Sequence, residues 1–140
     1  MAGLRKSGSR GFTLVEMIVV VAILAILASV AIPVISNSVR DANASADASA
    51  AHTIETSLKT SASELKNRRA TQALQNAPEP KVSDALLNVK QPVSILTPVQ
   101  PGYSFYYDTT KQTAAAYKSK PGTAFILLTG DTKLADLGLI

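Results

Sequence analysis

The chain has 140 residues, 46% of them hydrophobic, with no cysteine and a formal net charge of +4. That length suits one domain, or one small domain plus a membrane segment, and the missing thiols exclude a disulfide framework and any thiolate metal site. Three of the 14 basic residues lie in residues 1–10, leaving 11 basic against 10 acidic residues from Phe12 onward, so the working part of the chain lacks the basic patch expected of a nucleic-acid binder.

Residues 1–11 read as a targeting leader, with Arg5, Lys6 and Arg10 and no acid. The basic flank predicts that this end stays cytoplasmic and that everything after Ile35 lies outside. Arg40, on the far side, is offset by Asp41. The 24 residues from Phe12 to Ile35 contain one charge, Glu16, and one proline, Pro33. As a helix they would be about 36 Å long, enough to cross a hydrocarbon core of roughly 30 Å.

Four readings of this span compete. It fits a cleaved signal peptide with Ser29-Val30-Ala31 as the small-x-small site, a plain single-pass anchor, or a buried core helix. In the fourth, Gly11-Phe12 is itself the processing site and the apolar helix is kept. A secretory signal needs no acid in its apolar region and no particular residue at 11 or 12. Here the junction is Arg10-Gly11-Phe12-Thr13-Leu14-Val15-Glu16, with an acid whose place at the entrance of a span is costly.

That string resembles the prepilin signature of type IV pilins and the related pseudopilins, over about Arg10 to Pro33. The resemblance implies that a membrane-embedded aspartyl peptidase cuts between Gly11 and Phe12. It also implies that the enzyme methylates the new amino terminus, making Phe12 an N-methylphenylalanine. Glycine leaves the scissile peptide unobstructed. Glu16 lies one turn beyond the new amine, and a carboxylate in lipid must protonate or find a cation. The resemblance implies that the cation is the Phe12 amine of a neighbouring subunit in a helical filament. The alternatives are that Glu16 snorkels to the headgroups or pairs with its own amine. Pro33 removes a backbone donor, so a kink or local melting is expected near Ser29 to Ile32, unless it marks the end of the span.

Residues 36–76 read as an amphipathic continuation of the helix. Val39, Ala42, Ala46, Ala50, Ile54, Leu58, Ala62 and Leu65 recur at steps of three and four. The small residues of 41–51 suit close approach between helices, and the larger ones from Ile54 to Leu74 suit packing against a globular domain. The whole predicts one long, bent helix of more than 50 residues. Residues 77–101 form a Pro-rich connection, with a short helix over 83–88 capped by Ser83 and one extended segment around Val93 to Leu96.

Residues 102–140 predict an antiparallel meander and a C-terminal tail. Tyr103, Phe105 and Tyr107 share one face of the first strand, Thr113 to Lys118 forms a second, and Thr123 to Thr129 suits a central third. Asp108 to Lys111 and Ser119 to Gly122 supply the turns. The sheet is expected to bury one face on Ile54, Leu58 and Leu65, and Leu134, Leu137 and Ile140 to fold back over it. The fold class is therefore α+β and pilin-like, a long bent helix packed on about three strands.

No enzyme is legible, and neither a cofactor nor a metal is expected. His52 is the single histidine, without the converging acids a metal site needs, and its Ser49 neighbour lacks an orienting acid. Asp131 in its turn could touch a calcium ion, but a bare turn aspartate is the simpler reading. Asn43-Ala44-Ser45 matches a glycosylation pattern within a helix. Tyr103, Phe105, Tyr106 and Tyr107 could stack on bases but read better as sheet core and edge.

The resemblance implies a structural subunit of a type IV pilus or pilus-like filament, assembled with copies of itself and minor pilins. It implies a prepilin peptidase/N-methyltransferase and an inner-membrane assembly platform with its ATPase as partners. The subunit would sit in the cytoplasmic membrane with its N-terminus inside, then on the cell surface. The absence of cysteine departs from the disulfide-bounded loop of many Gram-negative type IVa pilins and favours the cysteine-free pilins of Gram-positive bacteria. Within the family, a pseudopilin of a secretion or DNA-uptake system stays open. Outside it, the alternative is a secreted or anchored binding domain whose mature chain starts at Ile32.

Overall fold

A computed structural model of the chain describes residues 11–70 and 79–140. The leader at 1–10, the expected helical stretch at 71–76 and the start of the connection at 77–78 lie outside the described residues. The fold divides after Val39 into two compact units. One helix, α1, covers Leu14–Ala70 and so contributes to both.

In the N-terminal unit the helix carries its apolar residues with no partner: the window of mean hydropathy 3.1 is entirely unburied. The helix is unbroken through Pro33, so the local melting expected at Ser29 to Ile32 does not occur. Pro33 still lacks the N–H that would reach the Ser29 carbonyl. The hydroxyls nearby bond within the helix, Ser29 Oγ donating to the Ile26 carbonyl at 2.7 Å and Ser38 Oγ to that of Val34 at 3.1 Å.

The C-terminal unit is α+β, with the rest of α1 packed on a three-stranded antiparallel sheet. Its strands are β1 (Ser104–Asp108), β2 (Thr113–Tyr117) and β3 (Phe125–Leu127). Ala51, Ile54, Leu58 and Ala62 of α1 are buried, recurring at steps of three and four. Against them lie Phe105 and Tyr107, which alternate on one face of β1 as expected, while Tyr103, expected on the same face, precedes the strand. Each faces a small residue across the β1–β2 pair, Phe105 against Ala116 and Tyr107 against Ala114, so large rings fit without overpacking. Each fully buried Leu, Ile or Phe contributes about 1.5–3 kcal/mol.

The strand order is β2-β1-β3, which corrects the meander. β1 is central, and the apolar run around β3, read as central, forms a short edge strand. The two outer strands both run antiparallel to β1, so residues 118–124 cross from one edge to the other instead of making a hairpin turn. The turn at Asp108 is as expected, its Oδ1 accepting from the N–H of Thr110 at 2.9 Å and of Lys111 at 3.1 Å.

The connection differs from expectation in two places. The short helix α2 covers Val82–Asn88, and its cap position is Lys81, not Ser83. Asp84 reaches back to accept from the Lys81 N–H at 3.1 Å, which is what fixes the helix start. α2 ends with Lys90 at φ 59, where the N–H of Lys90 donates to Leu87 at 3.0 Å and that of Gln91 to Leu86 at 2.8 Å. This is a Schellman ending with lysine in the usual glycine place. Val93–Leu96 is a single 3-10 turn after Pro92 and not an extended segment. The tail does fold back: Leu134 and Leu137 are fully buried and Ile140 packs against the same core.

Candidate functional site

Gly11, Phe12 and Thr13 are non-helical and exposed, and α1 begins immediately after them. Among the described residues a Cβ at Gly11 would meet nothing within 4 Å, so the Gly11–Phe12 peptide is open to an approaching protein. Phe12 is 77% exposed. The helix can start here because Thr13 and Glu16 satisfy each other. The Thr13 N–H donates to Glu16 Oε2 at 2.8 Å, the Thr13 hydroxyl donates to the same oxygen at 2.9 Å, and the Glu16 N–H donates to Thr13 Oγ1 at 3.2 Å. This is a reciprocal capping box, the T-x-x-E pattern of residues 13–16. The T-x-x-E signal is present in the sequence, and it gives Glu16 a role within its own helix besides the one expected between molecules.

Both bonds from Thr13 fall on Oε2. Glu16 Oε1 accepts no bond among the described residues. One carboxylate oxygen therefore closes the helix end while the other is open to a donor from outside. The site also has an electrostatic logic. The N-terminal end of a helix is positive, and an ammonium created there by processing would raise the charge further. An acid in the first turn offsets both, and in an apolar medium the offset is stronger than in water.

The other singled-out residues each have their own surroundings. Pro33 lies within the uncovered apolar helix. His52 is exposed on α1, and no group of three or more metal-ligating residues occurs among the described residues. Asp131 is engaged by Lys81, Nζ to Oδ1 at 2.8 Å. That hydrogen bond holds the Asp131 carboxyl below its ordinary range and raises Lys81. Lys133 pairs likewise with Glu79 at 2.6 Å. These pairs, with the Lys81–Lys133 bridge, fasten the tail to the start of α2. Of the aromatic residues, Phe105 and Tyr107 are core, while Tyr106, Tyr117 and Phe125 make edge-to-face contacts at centroid distances of 6.4 and 5.5 Å.

One residue missed by the sequence reading is Asp47. It is 2% exposed and interrupts the expected stripe, while Ala42 and Ala46 face solvent. Its carboxylate accepts from the backbone N–H of Val99 at 2.6 Å and of Gln100 at 3.1 Å. In Pro98-Val99-Gln100-Pro101 the prolines carry no N–H, so Asp47 takes both backbone donors of that segment. Its only sequence signal is an acid one turn from Ala51 in an otherwise small-residue run.

Residues 6–32 match the family model described as the prokaryotic N-terminal methylation motif, the signature of type IV prepilins. The match includes Gly11, Phe12, Glu16 and the greater part of the uncovered helix. No curated protein and no solved structure matches the chain. The motif points to a structural protein more than a catalytic one, to processing by a prepilin peptidase, and, with the apolar helix, to membrane anchoring before assembly.

Proposed function

We propose that a chain bearing this methylation motif is the structural subunit of a type IV pilus or pilus-like filament, stored in the cytoplasmic membrane and polymerised through α1. The observation that carries the reading is the uncovered apolar helix that opens with a half-engaged carboxylate directly after a Gly-Phe junction. A soluble domain would bury such a surface, and exposed apolar patches of this size mark lipid or protein contact. Lipid meets the requirement first, and neighbouring copies of the helix meet it after extrusion.

Each residue then has a role. Gly11 serves the peptidase and leaves with the leader. Phe12 becomes the N-methylated terminus, and methylation keeps the amine positive. Glu16 Oε1 receives that amine from a neighbouring subunit, setting the axial register of the incoming copy while Oε2 remains on Thr13. Pro33 provides a local departure from ideal helix. The partners are copies of the chain, minor pilins, the peptidase/N-methyltransferase, and the assembly platform with its ATPase.

The deciding experiment is the mass and N-terminal sequence of the mature protein, together with identification of any polymer sheared from cells. A chain starting at methyl-Phe12 and recovered in the sheared fraction supports the filament. A mature chain starting at Ile32 discards α1's apolar half and overturns it in favour of a secreted binding domain.

A further inference from the structure

The C-terminal unit contains an open cleft of about 350 Å³ assembled from three segments distant in sequence. Helix α1 supplies Lys59, Ser63 and Lys66, the β1–β2 turn supplies Gln112, and the tail supplies Gly138 and Leu139. The three α1 residues follow i, i+4, i+7 spacing and so share one helix face. The tail arrives there through a second Schellman-type turn, with the Gly138 N–H donating to Ala135 at 3.0 Å and the Leu139 N–H to Leu134 at 3.3 Å. Gly138 has φ +69, which glycine permits.

Two features point to a ligand. The lining carries two ammonium groups, a hydroxyl and a carboxamide, and no acid lines it among the described residues. Lys59 is paired with Glu55 at 2.6 Å, whereas Lys66 has no ion partner among the described residues. The second feature is Gln112, which occupies the left-handed region at φ 55. Glycine or asparagine is the usual residue there. Glutamine is a poor choice for the turn alone, and Gln112 is the residue the turn contributes to the cleft.

We propose that this cleft binds a monosaccharide-sized anion, a sugar acid or sugar phosphate. Its carboxylate or phosphate meets the Lys66 and Lys59 ammonium groups, and its hydroxyls meet Ser63 and Gln112. The cleft's volume is at the small end of the range of ligand sites, and this mix of cationic, hydroxyl and carboxamide groups matches an acidic sugar better than an apolar molecule. All the residues lie between 59 and 139, so the proposal is independent of filament assembly.

The test is an NMR titration of the isotopically labelled full chain in detergent micelles with glucuronate, glucose 6-phosphate and uncharged glucose. Saturable millimolar shifts at the Gln112 and Gly138 amides are expected with one or both anions and not with glucose. Which anion binds distinguishes a carboxylate from a phosphate ligand. Lys66→Gln should weaken binding about tenfold, as for loss of a charge-assisted bond. Gln112→Gly, which suits the left-handed turn and so keeps the fold, should weaken it as well. Absence of saturable shifts with both anions, equal shifts with glucose, or unchanged binding in Lys66→Gln overturns the proposal.

Discussion

Thr13 and Glu16 hold each other across the first turn of α1, the Thr13 N–H donating to Glu16 Oε2 at 2.8 Å and the Glu16 N–H to Thr13 Oγ1 at 3.2 Å. An acid that the membrane setting makes awkward is thus already half-satisfied by its own helix. Its assembly role can be separated from its capping role, because glutamine serves equally in a capping box.

Glu16→Gln should therefore keep the helix start ordered while removing the charge, and Glu16→Ala should lose both. Processing is expected to continue in both variants. Sheared filament should fall by roughly tenfold or more in both, as when one partner of a desolvated ion pair is removed. Amide exchange at Val15 to Met17 should rise only in Glu16→Ala. Normal filament from Glu16→Gln would leave the cap as the residue's whole function.

Gly11→Val tests the peptidase's requirement without disturbing this chain. Among the described residues nothing lies within 4 Å of a Cβ at that position, so fold and membrane insertion should be unchanged. Cleavage should stop because the added side chain clashes in the protease site. Mass measurement of the membrane fraction should find the unprocessed chain accumulating with its leader attached.

Asp47→Ala strands two backbone donors on the Pro98–Pro101 segment. Unfolding by urea, followed through the four tyrosines at 103, 106, 107 and 117, should show a loss of about 2 kcal/mol. Asp47→Asn retains one acceptor oxygen and should lose less. Exchange at the Val99 and Gln100 amides should accelerate in both. Unchanged exchange would mean that the carboxylate does not hold the segment.

Tyr107 is fully buried and its hydroxyl has no hydrogen-bond partner among the described residues. Burial, with the Glu55 charge adding to it, pushes this phenol up to about 12, against an unfolded value near 10. The folded state holds the proton more tightly, so the stability contribution is complete below pH about 10 and is lost as pH rises from about 10 towards 12. Tyr107→Phe should be neutral or stabilising by up to about 1 kcal/mol at pH 7, since it removes an unsatisfied group. Its unfolding midpoint should also fall less than that of the parent chain between pH 10 and 12.

Much of this molecule was legible because the signals were local. One helix of more than 50 residues, apolar in its first part and striped with buried residues from Ala51 to Ala62, follows from hydropathy and from steps of three and four. Phe105 and Tyr107 followed from alternation, and Leu134 and Leu137 from an apolar tail with nothing else to cover. The errors share a different cause. β3 looked central because apolar content was taken as a measure of centrality. The sheet instead placed aromatic β1 at its middle, where large rings could meet α1 on one side and alanines across the ladder. Val93–Leu96 looked extended from its composition, but Pro92 and the i-to-i+3 bonds that follow it turned the segment into 3-10 helix.

The sequence by itself determined the Gly11-Phe12 pair with its motif, the acid at 16 and the long apolar run, because each depends on residues within a turn or two of one another. Only the tertiary structure decided that Asp47 faces inward to hold a segment 52 residues away, and that Gln112 meets Lys59 and Lys66 in one cleft. Those relationships depend on the geometry of a folded unit, in which long-range backbone donors must find acceptors and a turn must adopt one hand. No spacing rule along the chain encodes them.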